Sequence, residues 1–417
     1  MTKKLVALLL AVIMSAGVLV SCSNPSSGPE DPTPAAVVTP APGQGDETTE
    51  AIPENQKDTI GSQNFGGAEF TILSRTLTNY EYIGDDSTGD VVKSAVAKRN
   101  LHVEERLGVK LNVVSEPGNW GERDTFVAKV QTAYTSGSKV YDMVSTHSAY
   151  IVNIGLSGYA ANMNELPTVD FSKKWWCPQY TNHVIFAGAV YSAVGDGGYS
   201  PYDYTLCTYF NKSLQSSYYI PDIYSIVQSG AWTFEKMLEF ASLVSVDANG
   251  NGKPDTGDIF GMSMSGHNAR MCQTVWDTNM TVADENGRQT INLTGNEKFI
   301  AAYDRLYDLV YNKNQYCLFM DEGASMTPEF AADHLLFFTE KLLEAAKMRD
   351  MASEYGIVPF PKYDAEQENY ISSARDAMSA ICIMRNIDNP AMVGAVTEAL
   401  AMYGWQDITP DYYETTL

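Results

Sequence analysis

The sequence predicts an α/β protein of two doubly wound lobes, and three features indicate this fold class. Strand-like alternation at residues 68–73, 109–114 and 140–145 encloses helical apolar spacing at 90–107 and 122–136. Gly108 and Gly137 follow the two helical segments, where a helix stop is expected. The order β-α-β-α-β at short spacing is typical of a parallel sheet, and 417 residues exceed one ordinary domain.

The second half of the chain predicts another α/β lobe in which helices dominate. Its pattern predicts a hairpin at 183–195, strands at 205–210, 355–360 and 377–384, and helices at 233–244, 295–311, 328–337, 340–351 and 389–403. Ligands of doubly wound sheets bind beyond the carboxyl ends of the strands. In the first lobe those ends are Ser74-Arg75, Ser115-Glu116 and Thr146-His147.

The N-terminus predicts an exported protein anchored to the membrane. Lys3 and Lys4 precede an apolar run that is too short for a transmembrane helix, which indicates a signal peptide over residues 1–21. Small residues before Cys22 resemble a lipobox, so we expect Cys22 to be lipidated and to hold the protein on the extracytoplasmic side of the cell membrane. An ordinary signal with an incidental cysteine is the alternative. Residues 22–65 are rich in Pro, Ser and Thr, which predicts a disordered tether.

Composition and motifs exclude several function classes. The net charge of −23, from 51 acidic and 28 basic residues, argues against nucleic-acid partners because no basic stripe is present. The six cysteines are scattered and contain no CxxC pair, so buried thiols are expected rather than a disulfide framework. The five histidines stand apart, and no HExxH, GxSxG or GxxxxGK motif occurs. We therefore expect no catalytic residues and no enzyme.

Several pieces of the body recur in a fixed order, and together they resemble a known family. The pieces are VYDMVS, NELP, AVYSAVGD, TYFNKSL, WTFEKMLEFASLVSVDANGNGKPDTGDIFGM and YGIVPFPKY. They are similar to extracellular solute-binding proteins, of the family 1 type, that deliver sugars to bacterial ABC importers. The resemblance implies a periplasmic-binding-protein-like fold with a cleft between two lobes. It also implies ABC permease subunits as partners.

The resemblance sets the expected domain boundaries. Lobe 1 comprises residues 66–204 and 361–404, and lobe 2 comprises 205–360, with hinge strands near 205–210 and 355–360. Residues 405–417 are the expected start of an incomplete C-terminal segment, since the family continues with further helix beyond this point.

Residues 247–258 predict a calcium loop of the EF-hand type. Short oxygen-bearing side chains alternate along it, and Gly252 permits the sharp turn between them. The expected ligands of one structural Ca²⁺ are Asp247, Asn249, Asn251, the carbonyl of Lys253, Asp255 and Asp258. Three charged ligands indicate weak binding, with a dissociation constant of about 10⁻⁴ to 10⁻³ M. A chance Asn/Gly turn is the alternative interpretation.

Rings and charges that follow strands are the candidate lining of a sugar site, because sugars stack on rings and take hydrogen bonds from charged groups. The expected substrate-binding residues are Trp120, His147, Tyr150, Tyr199, Tyr202, Asp203, Trp276, Arg375 and Asp376. For each ring, packing in the core is the alternative. The sequence thus predicts a tethered protein that captures a sugar between two lobes. A secreted glycoside hydrolase, using acids such as Glu116, Asp203 and Asp376, and a carbohydrate-binding surface adhesin are the alternatives.

Overall fold

The computed structural model describes residues 52–278, 280–284, 288–311, 315–320 and 325–415. The predicted signal peptide (1–21), Cys22 and the tether up to residue 51 lie outside the described residues. The described residues divide between two units, with the boundary between Lys57 and Asp58. In the described part of the first unit, Glu54–Gln56 forms a short 3-10 helix. Both lobes belong to the second unit.

The strands and helices alternate along most of the second unit. The strands are β1 Ala68–Arg75, β2 Val109–Glu116, β3 Met143–His147, β4 Leu206–Asn211, β5 Ser245–Val246, β6 Ile259–Ser265, β7 Thr281–Ala283, β8 Gln289–Ile291, β9 Cys317–Met320, β10 Leu335–Lys341, β11 Tyr355–Pro359 and β12 Ser379–Ile383. The helices are α1 Val91–Leu107, α2 Arg123–Thr135, α3 Ser148–Leu156, α4 Pro178–Val184, α5 Ser200–Asp203, α6 Lys212–Ser217, α7 Ile223–Gln228, α8 Phe234–Ala241, α9 Gly266–Val275, α10 Glu297–Tyr311, α11 Thr327–Ala331, α12 Pro390–Tyr403 and α13 Thr409–Thr415. None of the described helices combines the length and apolar character needed to span a bilayer.

Lobe 1 is built on a four-stranded sheet of order β12-β3-β1-β2. Strand β1 pairs in parallel with β2 and β3, while β12 runs antiparallel to β3. Asp90 caps α1 by accepting hydrogen bonds from the amides of Val92 and Lys93, and Gly108 ends the helix with a φ of 58°. Apolar residues of β1, α1 and α12 form the core on one face of the sheet. The predicted β-α-β-α-β segment is therefore confirmed.

Lobe 2 is built on a six-stranded mixed sheet of order β11-β4-β10-β6-β5, with β9 paired to β6. The predicted helix at 328–337 is wrong, because α11 ends at Ala331 and residues from Leu335 form the central strand β10. The apolar run LLFFT has no helical period, and a short apolar run does not distinguish a buried strand from a buried helix. The predicted helix at 340–351 is a 3-10 helix, Leu342–Met348. The predicted hairpin at 183–195 is reduced to one antiparallel pair, Phe186 and Ala189, around the expected turn at Ala187-Gly188, and its first residues, up to Val184, belong to α4.

The chain crosses from lobe 1 to lobe 2 at residues 204–206 and returns at 373–378. The two crossings are joined by hydrogen bonds of 2.9 Å from the Leu206 amide to the Ser373 carbonyl and from the Arg375 amide to the Tyr204 carbonyl. The return crossing thus lies at 373–378 rather than at 355–360. Strand β11 stays in the sheet of lobe 2, antiparallel to β4, and residues 361–372 stay with it. A strand pattern does not reveal which sheet the strand joins.

Both ends of the described body differ from the expected boundaries. Residues 58–65, assigned to the tether, pack on lobe 1, where Ile60 is 2% exposed and the Phe65 amide donates to the Leu107 carbonyl at 2.7 Å. Residues 404–415 form a π-helical turn, Gly404–Ile408, and α13, which pack on α1. A Cβ on Gly404 would lie 1.8 Å from the Asp196 carbonyl oxygen, so this close approach requires glycine. The segment 404–415 therefore belongs to lobe 1.

Among the described residues, Cys207, Cys272 and Cys382 are buried thiols, as the sequence predicts, whereas the thiols of Cys177 and Cys317 are partly exposed.

Candidate functional site

Arg75, at the carboxyl end of β1, links the edge of lobe 1 to the return crossing. Its side chain is buried, its Nε donates to the Thr78 hydroxyl at 3.0 Å, and its Nη2 donates to the Ala377 carbonyl. Glu116, paired with Arg75 in the sheet, ends β2 and binds Lys129. The ends of β1 and β2 therefore present fixed charges at one edge, where the sequence predicts the site.

His147 ends β3 and caps α3. Its Nδ1 accepts the Ala149 amide at 3.2 Å, so the proton of the neutral imidazole is on Nε2. The pKa of His147 is lowered to about 4, first by burial and then by the positive charges of Arg75 and Arg375, against the opposing charge of Asp376. The imidazole is therefore neutral at pH 7 and offers one N–H donor.

Trp120 is the exposed ring of this edge, with 55% of its surface accessible. The Arg123 guanidinium lies 4.6 Å from the centroid of its ring, and the His147 ring lies 5.6 Å away. The Tyr150 ring stacks behind His147 at 5.5 Å and is itself buried, with its hydroxyl bonded to Thr146 and to the Gly118 carbonyl. Arg123 and His147 therefore contact the Trp120 ring, and more than half of the surface of this residue stays exposed.

Charges from both lobes meet at the crossings. Arg375, on the return crossing, lies 3.6 Å from Glu340 at the end of β10. Lys341 lies 3.7 Å from Glu340, and its ammonium is 5.8 Å from the centroid of the Tyr204 ring. Asp376 is exposed, and its backbone carbonyl accepts the Ser148 hydroxyl at 2.8 Å. The predicted residues Trp120, His147, Tyr150, Arg375 and Asp376 are therefore gathered at the hinge-side edge of lobe 1.

Sequence reasoning missed Glu340 and Lys341 at this edge. They follow the apolar run of β10, for which the sequence predicts a helix. Recognition of that run as a buried strand would have placed both residues at a strand end, where ligands of such sheets bind.

Tyr199, Tyr202 and Asp203 form a separate cluster inside lobe 1. Asp203 is 4% exposed, and its two carboxylate oxygens accept the hydroxyls of Tyr80 at 2.7 Å and Tyr412 at 2.9 Å. Tyr202 donates to Asp196 at 2.5 Å. Burial raises the pKa of Asp203 to about 6 and that of Asp196 to about 7. The carboxylates of this cluster are therefore hydrogen-bonded to tyrosine hydroxyls within lobe 1.

Trp276 lies in the core of lobe 2 and is fully buried. Its ring is 4.8 Å from that of Phe234 and 5.5 Å from that of Tyr363, and its Nε1 donates to the Pro361 carbonyl at 3.1 Å. The structure therefore places Trp276 apart from the rings at the hinge-side edge of lobe 1.

The predicted calcium loop is a compact turn closed by its own hydrogen bonds. Asp247 accepts the amides of Gly250, Asn251 and Gly252 at 2.7–3.2 Å, and the amide groups of Asn249 and Asn251 each donate to Asp255 at 2.7 Å. No three Asp, Glu, His or Cys side chains within the described ranges are gathered as a metal site. The side chains have the oxygens that Ca²⁺ takes, but both asparagines must turn their carbonyl oxygens inward to supply them.

No protein-family model matches the chain, and no curated protein sequence matches it. The GacH receptor of Streptomyces glaucescens, solved unliganded and with acarbose, has a TM-score of 0.52 at 13% identity, over 84% of this chain and 82% of that one. A cyclo/maltodextrin-binding protein in complex with maltotetraose has a TM-score of 0.54 at 12% identity, over 84% and 78%. The maltose/maltodextrin-binding domain MalE from Bdellovibrio bacteriovorus, bound to maltotriose, has a TM-score of 0.51 at 13% identity, over 84% and 80%. The chain therefore has the two-lobed α/β fold of the periplasmic binding proteins, as its sequence predicts.

Proposed function

We propose that this chain is the extracytoplasmic solute-binding protein of an ABC importer and that it captures a sugar or oligosaccharide between its lobes. The observation that carries the proposal is the exposed Trp120 ring next to His147, at the strand ends of lobe 1. The charges of Arg375 and Asp376, on the return crossing, act on the same His147. Solved proteins of the same fold carry acarbose, maltotetraose and maltotriose.

The chemistry of this edge suits a sugar. An indole with an open surface stacks on the apolar C–H face of a pyranose, while charged groups beside it bond the hydroxyls that project from the ring edge. Trp120 supplies the surface, and Asp376, Arg375 and the N–H of His147 supply acceptors and donors. Glu340, from lobe 2, already lies beside Arg375 and adds an acceptor from the second lobe. Closure around the solute would be a hinge motion that shifts an existing equilibrium.

A permease lies in the membrane, and an anchor would keep the binding protein close to it. We propose that lipidation of Cys22 supplies the anchor and that the following Pro-rich residues form the tether. Mass spectrometry of the protein from bacterial membranes tests this, because a diacylglyceryl-modified Cys22 at the N-terminus is expected. An unmodified N-terminus at another residue would contradict the anchor and leave the solute-binding role intact.

The substrate class is tested by native mass spectrometry of the chain from Ser23 onward with an oligosaccharide panel that includes maltotriose, maltotetraose and acarbose. One intact sugar per chain is expected. Cleaved sugars would instead support the glycoside hydrolase alternative. Glu116 is paired with Lys129, and both oxygens of Asp203 are held by tyrosines, so neither is presented as an acid for that reaction. Binding only to insoluble polysaccharide would favour the adhesin.

Replacing Trp120 with alanine is expected to weaken sugar binding at least about tenfold, which corresponds to about 1.4 kcal/mol. The stacking surface is lost, while little buried area is removed. Isothermal titration calorimetry measures the affinity, and thermal unfolding confirms that the variant is folded. Tyr219→Ala is the matched control, because Tyr219 is a ring of lobe 2 that is 93% exposed. Equal affinities of the two variants would contradict the assignment of Trp120.

We further propose that the loop at 247–258 binds one Ca²⁺ as a structural ion. At a calcium concentration about ten times the dissociation constant, binding is expected to stabilise the fold by about 1.4 kcal/mol. The prediction is that calcium raises the melting temperature of the parent relative to chelator and that Asp247→Asn reduces this difference. Asp222→Asn, an N-cap of α7 in the same lobe, should keep the full difference. Equal melting temperatures of the parent in calcium and in chelator would contradict calcium binding.

A further inference from the structure

The buried cluster around Asp203 lies directly before the first crossing between the lobes. Asp203 is the last residue of α5, and Tyr204 begins the crossing. The carboxylate of Asp203 is held on one side by Tyr80, from the turn after β1, and on the other by Tyr412, from α13. The position of α5 therefore depends on a hydrogen bond from the segment 404–415.

The same helix is tied to the second crossing. The Ser200 hydroxyl, at the start of α5, accepts the amide of Ser379 at 2.9 Å, and the Ser379 hydroxyl donates to Thr78 at 2.9 Å. Ser379 begins β12, directly after the return crossing. The Ser200 amide donates to Glu81 at 2.8 Å. Both crossings are thus fixed to lobe 1 through one buried network that includes α5.

The segment 404–415 makes further contacts with this network. The Tyr412 ring lies 5.9 Å from that of Tyr199 and 5.6 Å from that of Tyr202, and the Tyr202 hydroxyl lies 3.4 Å from the Thr409 hydroxyl. Tyr412 is 1% exposed. Both oxygens of the Asp203 carboxylate accept hydrogen bonds. A buried polar group that is satisfied in this way rigidifies its surroundings, and they loosen when one partner is removed.

We propose that Asp203 and Tyr412 are positioning residues of the hinge, through which α13 sets the equilibrium between open and closed lobes. In this role Asp203 acts on solute binding from inside lobe 1, without contact with the solute. Loss of the Tyr412 hydroxyl releases one side of α5, so the crossing samples more orientations. Closure around a solute must then order the hinge again, which lowers affinity. The effect on affinity rests on the proposed function, whereas the effect on the unliganded lobes does not.

The test compares two adjacent tyrosines. Tyr412→Phe removes the hydroxyl that Asp203 accepts, whereas Tyr413→Phe is the matched control because no hydrogen bond of its hydroxyl is found among the described residues. Single-molecule fluorescence transfer between dyes on non-canonical residues at Lys110 in lobe 1 and Gln228 in lobe 2, both exposed, measures the distance between the lobes without solute.

Tyr412→Phe is expected to broaden the distance distribution and to weaken the affinity for the best sugar of the panel by about fivefold, with Tyr413→Phe like the parent. Asp203→Asn is the second variant, and it is expected to broaden the distribution in the same way. Distributions of Tyr412→Phe and Asp203→Asn that match the parent would overturn the proposal. A parent that binds no sugar would instead contradict the proposed function, and the unliganded distributions would still decide the role of Tyr412.

Discussion

Replacing Trp276 with alanine is expected to lower the free energy of unfolding by about 3–5 kcal/mol, the largest loss among the substitutions considered. The side chain is fully buried among Phe234, Phe360 and Tyr363. Its removal leaves a cavity in the core of lobe 2 and also leaves the Pro361 carbonyl without the indole N–H that it accepts. Urea denaturation followed by circular dichroism measures the loss.

Trp120→Ala supplies the comparison, because Trp120 is more than half exposed. It is expected to change the free energy of unfolding by less than about 1 kcal/mol while weakening sugar binding. At a temperature where Trp276→Ala is folded, its sugar affinity is expected to match that of the parent. A strong loss of affinity in folded Trp276→Ala, without loss of stability, would return Trp276 to the binding site that the sequence predicts.

The stability of the protein is expected to fall as the pH rises from about 4 to about 7.5. Burial raises the pKa of Asp196 to about 7, that of Glu398 to about 7 and that of Asp203 to about 6. In the unfolded chain these carboxyls lose their protons near pH 4. Between these values the unfolded chain binds fewer protons than the folded protein, so a rise in pH favours unfolding.

Glu398 shows why burial has a larger effect on the pKa of these carboxyls than their hydrogen bonds have. Its carboxylate accepts the indole N–H groups of Trp175 at 2.8 Å and Trp176 at 2.9 Å and the Asp170 amide at 3.2 Å. These bonds favour the charged form, but the loss of water around the buried carboxyl is larger, and the nearby charge of Asp170 adds to it. A difference of one unit between the folded and unfolded pKa of a group corresponds to about 1.4 kcal/mol. The three carboxyls together are therefore expected to lower the free energy of unfolding by an amount on the order of several kcal/mol.

Below pH 6.5, His147 has the opposite effect on the pH dependence of stability. Its pKa is lowered to about 4 in the folded protein, so stability from this group rises with pH between about 4 and 6.5. The interval from pH 6.5 to 8 therefore isolates the carboxyls. Melting temperatures in this interval are expected to fall for the parent and to fall less for Asp196→Asn, which keeps an acceptor for the Tyr202 hydroxyl. Asp376→Asn, at an exposed carboxylate, is the control. A parent whose melting temperature is constant across the interval would contradict raised carboxyl pKa values.

Local patterns were enough to predict the first half of lobe 1. The strands at β1 and β2, the helix α1 between them and its stop at Gly108 all follow from apolar periodicity and from the conformational freedom of one glycine. The sequence also predicts a crossing near 205–210, and in the structure the next strand, β4, lies in the sheet of lobe 2. Patterns failed at β10, where an apolar run fits a strand and a helix equally well. They also failed at β11, whose pattern does not show that the strand stays in the sheet of lobe 2.

Part of the candidate site could be predicted from the sequence, and part of it could not. Trp120, His147, Arg375 and Asp376 follow strands or crossings, and the carboxyl ends of parallel strands meet at one edge, so their proximity follows from chain order. The buried positions of Asp203 and Trp276 do not follow from chain order. Asp203 meets Tyr80 and Tyr412, which are 123 and 209 residues away in the chain, and no local pattern encodes such a contact.

The sequence by itself determined the α/β class, the order of the lobe 1 elements and the candidate edge, because these depend on periodicity, turn chemistry and chain direction. Only the tertiary structure decided which rings are exposed, where the chain returns to lobe 1, and which carboxyls are buried. Exposure and pKa depend on neighbours brought together from distant parts of the chain, and those neighbours are fixed only when the sheets, α12 and the segment 404–415 have packed.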